Sequence, residues 1–485
     1  MKKLVRIVGV VVVIALALAS VTSAQGGIPG SGWWSGEMVQ NVGTDDAHVV
    51  VTAYGAGEEY ATVETIIGVG GANNFVPGDF SGMADGFQGA AIVQADQPIK
   101  AIVNVTNRVS GDFGTTGGEA AAQYQGIDGD AVAMALSFPM AKNGRFGKTT
   151  AFYIQNAGGT AATATCVFAT GTGTYTHTTP SIAPSEMVVV VPGDAGVPSV
   201  NDSRGNIGSL SVTSSSDLAG VVMEYNTDES PAKLLQSTRG FTANDFDTTL
   251  YAPTVKQSRF SRFTGIQVQN VSAGPVDVTL RLVGSRGACA GTVYTRTELA
   301  LPAGESWTAN QIAGQDGEMV DSCAASATIM ATGDIVAVVS ESFISGYAGQ
   351  QASTTYSAFS DGAATMKISV PMYKENRYSK YTGLMIQNVG SAEATNVIIT
   401  FNQAAGGTGT FTTVAQTIPA GGSLELSNVS GNAELWDGDA APSGGSFGVT
   451  VTADQNVVAI ANEAVHSTAT IAQDKNNYEG FNVIP

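Results

Sequence analysis

The chain is short of charge, of cations and of histidine, and each shortage removes a class of function. Charged residues make up 13% of its 485 positions, about half the usual share in a globular domain. Lys and Arg number 22 against 41 Asp and Glu, a formal charge of −19. That balance lacks the basic footprint of a nucleic-acid-binding protein; cations and cationic surfaces are its natural counterparts. His48, His177 and His466 are the only histidines and fall at unrelated places, so they offer neither a metal pair nor a shared catalytic triad. After the first two dozen residues, no apolar run approaches the roughly 20 residues of a membrane helix.

The opening residues read as a secretory leader. Lys2, Lys3 and Arg6 precede an apolar stretch from Ile7 to Ala19, and Thr22-Ser23-Ala24 offers small residues before a cut at Gln25. No Cys stands at the cut to take a lipid. The mature chain is expected outside the cytoplasmic membrane, secreted or on the cell surface, without a membrane span.

The rest is one pattern written four times. A Gln-Asn pair recurs at Gln40-Asn41, Gln155-Asn156, Gln269-Asn270 and Gln387-Asn388, at spacings of 115, 114 and 118 residues. A strand-like run precedes each pair, and a small-residue turn and a β-branched run follow it. A period this long is a whole module rather than a solenoid unit. Later in each repeat two hydrophobic runs stand close together, Leu210-Ser211-Val212 and Gly220-Val221-Val222 for example, with turn residues between them; the spacing predicts a hairpin. No stretch holds a capped 3.6-residue period. The chain is expected to be all-β, with four tandem immunoglobulin-like β-sandwich domains at 25–130, 131–246, 247–365 and 366–485, after a signal peptide at 1–24.

A second motif marks the repeat boundaries. Pro139, Pro253 and Pro371 each open a window with basic residues at fixed offsets: Lys142, Arg145 and Lys148; Lys256, Arg259 and Arg262; Lys374, Arg377 and Lys380. Nine of the chain's 22 basic residues lie in these three windows. They are expected to form an interdomain basic motif, either a hinge, a stripe for an anionic glycan, or ion pairs that set the domain angle. Candidate acidic partners are Asp128, Asp130, Asp245, Asp247 and Asp361. A Glu that ends the last hydrophobic strand also recurs, at Glu224, Glu341 and Glu463, where repeat one has Val105.

Three cysteines remain to place. Cys289 and Cys323 share the third repeat and are expected to pair in an oxidising compartment, leaving Cys166 as a buried small residue. The acidic turns Asp128-Gly129-Asp130 and Asp437-Gly438-Asp439 supply some oxygens of a Ca²⁺ site at Asp128, Asp130, Asp437 and Asp439, or are simply good turn chemistry. No other cofactor is indicated. Gly444-Gly445-Ser446-Phe447-Gly448 spells G-x-S-x-G, but it opens a strand-like run rather than a strand–turn–helix elbow. Trp33 and Trp34 either stack on a sugar or pack as Lys380-Tyr381 does at the matching place. The C-terminal Phe481, Val483, Ile484 and Pro485 resemble the strand that leads into each internal repeat. They are either a spare assembly strand, donated head to tail, or the last strand of their own module.

The tandem arrangement resembles bacterial surface proteins built of Ig-like repeats, of the surface-layer, filament or adhesin type. That resemblance implies an extracellular structural or adhesive role. The expected function is therefore non-enzymatic: a subunit of a surface layer, sheath or filament, or an adhesive stalk. Its partners would be other copies of itself or other cell-envelope components. The alternative is an extracellular polysaccharide-binding repeat protein. A secreted hydrolase would need a clustered acid–base pair, and none recurs.

Overall fold

The structure, a computed structural model, describes residues 8–12, 27–30, 32–107, 120–199, 205–227, 234–311, 319–343, 353–377, 380–403, 409–438, 440–465, 475–479 and 481–482. Among them every regular element is a β-strand or a short 3-10 turn, and the strands build several sheets. No helix is long and apolar enough to cross a membrane. The chain divides into two compact units, Met1–Asn244 and Asp245–Pro485, and each contains two of the sequence repeats.

The second repeat displays the plan. Its leading strand is Ala133–Asn143, followed by Lys148–Asn156, Ala164–Thr170, Gly173–Thr178, Met187–Val190, the 21-residue Asn206–Asn226, and Leu235–Arg239. The long strand serves two sets of partners. Its first half pairs antiparallel with the leading strand and with Ala164–Thr170; its second half pairs with Lys148–Asn156 and Leu235–Arg239. Cys323–Phe343 and Gly445–Val465 do the same in the third and fourth repeats.

The expected hairpin is thus one continuous strand. The residues between its halves, such as Ser214 to Asp217, bend it without reversing it. None of them adopts the left-handed backbone that a tight hairpin turn requires. The first repeat alone splits the strand, into Ala90–Ala95 and Ile99–Asn107. Pro98 stands at the break, where it removes one ladder donor.

Each leading strand carries an irregularity at its Pro. Register shifts fall between Phe138 and Ala141, between Ala252 and Val255, and between Val370 and Tyr373. These flank Pro139, Pro253 and Pro371. A residue without an N–H is tolerated inside a sheet where the ladder is already interrupted.

Apolar side chains from the two halves of each repeat meet in its interior. In the second repeat Phe138, Phe152 and Phe168 are fully buried and contact edge-on, at centroid separations of 5.1 and 5.8 Å. Each such ring contributes roughly 1.5–3 kcal/mol by burial. Within each unit the core also runs from one repeat into the next. Tyr153, Val221 and Met223 join the core of the first repeat, and Met385, Val458 and Ile460 join that of the third.

At the C-terminus the structure shows the tail within its own repeat, and at the N-terminus it departs from expectation. The C-terminal strand Phe481–Asn482 pairs with the leading strand of its own repeat, Phe481 opposite Ser369. Phe359 stands opposite Tyr251 and Phe241 opposite Ser137 at the same place in earlier repeats. Phe481 thus occupies the place at which the earlier repeats close, the second of the two readings of this tail. Val483, Ile484 and Pro485 lie outside the described residues. At the other end, Val8–Val12 forms a strand although it falls within the expected leader. It pairs with Ala90–Ala95 and with Ile127–Asp128.

Candidate functional site: a buried charge cluster written three times

The basic windows fold back on themselves. After the leading strand the chain reverses through left-handed residues, Gly144, Phe146 and Gly147 in the second repeat, and Ser258, Phe260 and Ser261 in the third. The first and third basic residues of each window then flank this reversal on adjacent strands and point inward. They converge on the recurring Glu of the long strand. Lys142 Nζ lies 2.5 Å from Glu224 Oε2, and Lys148 Nζ 3.4 Å from Oε1. Lys256 Nζ lies 2.7 Å from Glu341 Oε2, and Arg262 Nη1 2.8 Å from Oε1. Lys374 Nζ lies 2.6 Å from Glu463 Oε2, and Lys380 Nζ 3.0 Å from Oε1.

The windows are thus internal to their repeats, and the interdomain motif is corrected accordingly. The first and third basic residues of each window pair with a Glu about 80 residues downstream. The three carboxylates are 1–4% exposed. Burial works against ionisation of Glu224, yet the ammonium groups of Lys142 and Lys148 outweigh it and hold the carboxyl below its ordinary range. Glu463 behaves likewise under Lys380 and Lys374. Burial also lowers the pKa of Lys142, against the pull of Glu224. A Thr on the second strand adds a further tie: Thr150, Thr264 and Thr382 each accept from the backbone N–H of the first Lys, at 3.0, 2.9 and 2.9 Å.

The middle basic residue of the window does something different. Arg145 lies over the Phe146 ring at 4.8 Å, and Arg259 over Phe260 at 4.6 Å. Phe146 and Phe260 are 65% and 66% exposed, so each pair sits at the outer tip of the reversal. Arg377 occupies the same place in the fourth repeat; Tyr378 lies outside the described residues.

The Gln-Asn pair proves to be a staple. Each Asn Nδ2 donates to the carbonyl four residues on, at 2.8 Å in all four repeats. It donates also to a carbonyl across the turn, from Ile67, Ile182, Leu301 or Ile418, at 2.8–2.9 Å. Its Oδ1 accepts from the N–H two residues on, at 2.8–3.0 Å. A buried amide with every strong bond made fixes a loop more firmly than apolar contact does.

The first repeat breaks the pattern. Val105 replaces the acidic residue, and Trp33 replaces the second cation. Trp33 is 1% exposed and its Nε1 donates to the Pro29 carbonyl at 3.0 Å, so it packs and is closed to a sugar. The carboxylate of this repeat stands elsewhere, at Glu37, where the other repeats have Phe152, Ile266 and Leu384. Glu37 is 1% exposed, and among the described residues neither oxygen has a hydrogen-bond partner. Burial pushes its pKa up to about 8.

The remaining candidates are structural in their surroundings. Cys289 and Cys323 are joined, with Cα atoms 5.4 Å apart. Cys166 is a free, buried thiol, pushed up to about 12 by burial and then by Asp194. Asp128 pairs with Lys100 at 2.6 Å. Asp437 lies in a turn with left-handed backbone, and Asp439 lies outside the described residues. Among the described residues no three His, Cys, Asp or Glu side chains come together as a metal site. Ser446 of the G-x-S-x-G match lies in the strand Gly445–Val465 rather than at a strand–helix turn.

No family model matches the chain, and no curated protein does. Among solved structures, Thermotoga maritima 1070 aligns at 18% identity, over 22% of this chain and 93% of that one, with a TM-score of 0.19. A tetra-tandem repeat in the extending region of a large adhesion protein aligns at 12% identity, over 93% of this chain and 95% of that one, with a TM-score of 0.11. At those scores neither likeness carries an argument.

Proposed function

We propose that the chain is a non-enzymatic extracellular structural protein. It comprises four tandem immunoglobulin-like β-sandwich repeats, exported behind the leader at 1–24. It serves as a subunit of a surface layer, sheath or filament, or as an adhesive stalk. The observation that carries this reading is the use made of the recurring polar residues. The Asn staples and the Lys–Glu–Lys/Arg clusters are spent on holding strands together. A catalytic site needs the reverse, a polar group kept accessible to substrate with a tuned proton. Negative-stain microscopy of protein purified from its native envelope tests the reading, with ordered polymers as the expected result. Dispersed single chains in that material would argue against it.

A second reading rests on the exposed Phe146 and Phe260 under their arginines. An exposed aromatic ring at the same place in two repeats suits stacking on sugar rings, so polysaccharide binding is the alternative. Retention on polysaccharide columns, lost on Phe146→Ala with Phe260→Ala, would favour it.

A further inference from the structure

In all four repeats a strand fills the same slot. Val10 stands opposite Val93 as Leu136 stands opposite Val212, Leu250 opposite Ile329 and Ile368 opposite Val451. On its other side the same strand meets the residue that closes the repeat, with Val11 opposite Ile127 and Ser369 opposite Phe481. Repeats two to four supply this strand from the mature chain. Repeat one supplies it from residues 8–12, inside the leader.

Loss of the leader would leave Ala90–Ala95 paired only with Ala47–Gly55, and Ile127–Asp128 without its neighbour. One edge of the sheet would then show unpaired N–H and C=O groups above the buried side chains of Ala91, Val93 and Ala95. A second, independent feature marks the same repeat. Glu37 lies opposite Val103, one cross-strand pair along the same face from Val105 opposite Ser35. In the other repeats that face receives a Lys from the leading strand, as Glu224 receives Lys142. Among the described residues Glu37 has no such partner.

We propose that repeat one of the mature chain is a strand acceptor, completed by an extended apolar strand of another polypeptide whose basic side chain reaches Glu37. The inference rests on the proposed removal of the leader. The incoming strand supplies a leading strand's hydrogen bonds, apolar cover for the core, and the cation that Glu37 lacks. Specificity comes from the charge: a strand without a base leaves a carboxyl buried and unpaired.

A peptide copying residues 131–143 of this sequence, with the leading-strand pattern and Lys142, is a suitable probe. The mass of the exported chain is read first. If residues 8–12 remain attached, the slot stays filled, and leader removal and the acceptor both fail. In a chain beginning at Gln25, hydrogen exchange is compared between 91–95 and the equivalent 210–214. The slot-facing amides of 91–95 should exchange roughly 100-fold faster, and the peptide should slow them. Replacing the peptide's Lys by Ala should weaken binding roughly 10-fold or more, and Glu37→Leu in the protein should erase that difference. Full protection of 91–95 without peptide, in a chain beginning at Gln25, overturns the acceptor while leaving the leader reading intact. Equal binding of both peptides to the unmodified protein overturns the role of Glu37.

Discussion

Glu224→Gln is the substitution that tests the buried cluster hardest. The amide keeps the shape of the side chain and removes its charge. Lys142 and Lys148, 13% and 19% exposed at their side chains, would then face each other without a counterion. Removing one partner of a buried ion pair costs about 3–5 kcal/mol, far more than an exposed pair contributes. Replacing all three groups together, by Met at 142 and 148 and Leu at 224, should be neutral or stabilising by about 1–4 kcal/mol. The contrast between single and triple replacement is the signature of a buried cluster. Repeats pack against one another within a unit, so a single unfolding midpoint would mix them. Native-state hydrogen exchange along Asn206–Asn226, with Gly445–Val465 as internal reference, isolates the effect. A loss below about 1 kcal/mol for Glu224→Gln would refute the reasoning, since that is the range of a solvated pair.

Acid and base should act on different repeats. Glu224 and Glu463 have folded pKa values below the ordinary 4.5. Their contribution is present above the unfolded value and lost as pH falls through the folded one, so strands of repeats two and four should loosen first in acid. Glu37 has the opposite sign, about 8 against 4.5. Its contribution is complete below the unfolded value and lost as pH rises through the folded one. Repeat one should weaken by roughly 4–5 kcal/mol by pH 9–10, and Glu37→Leu should abolish that loss, as read by exchange along Trp33–Asn41. Asn270→Ala removes three hydrogen bonds of a buried amide and should cost roughly 3 kcal/mol, while a change at an exposed residue, such as Thr297→Ala, stays within about 0.5 kcal/mol, as read by native-state hydrogen exchange along Arg262–Asn270. Reducing Cys289–Cys323 should cost about 4 kcal/mol for the loop its 34-residue separation closes. Peptide mapping without reductant should find that bond and an unmodified Cys166.

Some of this was legible in the sequence and some was not, for physical reasons. The repeat and its strands showed in spacing and β-branched runs, because a staple such as Asn156 needs the same residue type at the same turn each time. Both halves of the charge cluster were visible as well, the basic windows and Glu224, Glu341 and Glu463. Their meeting was not, because a sheet brings together residues 82 apart, as Lys142 and Glu224, while sequence order offers Asp128 first. The long strand read as a hairpin because Ser and Asp mark turns and bends alike; only the backbone at Ser214 to Asp217 separates the two. Phe481 read either as a leading or as a closing strand because its apolar run up to Pro485 resembles Leu136 to Pro139, and the sequence does not show its pairing with Ser369. Glu37 carried a readable signal: it is acidic where aligned repeats have Phe152, Ile266 and Leu384.

The proposed function requires that these repeats build something outside the cell. Electron microscopy of native envelope material, with the chain labelled by an antibody to its third repeat, measures that directly. Label at regular intervals along an ordered layer, sheath, filament or stalk is the outcome expected of that function. Label confined to the cell interior, or spread over dispersed single chains, would contradict it.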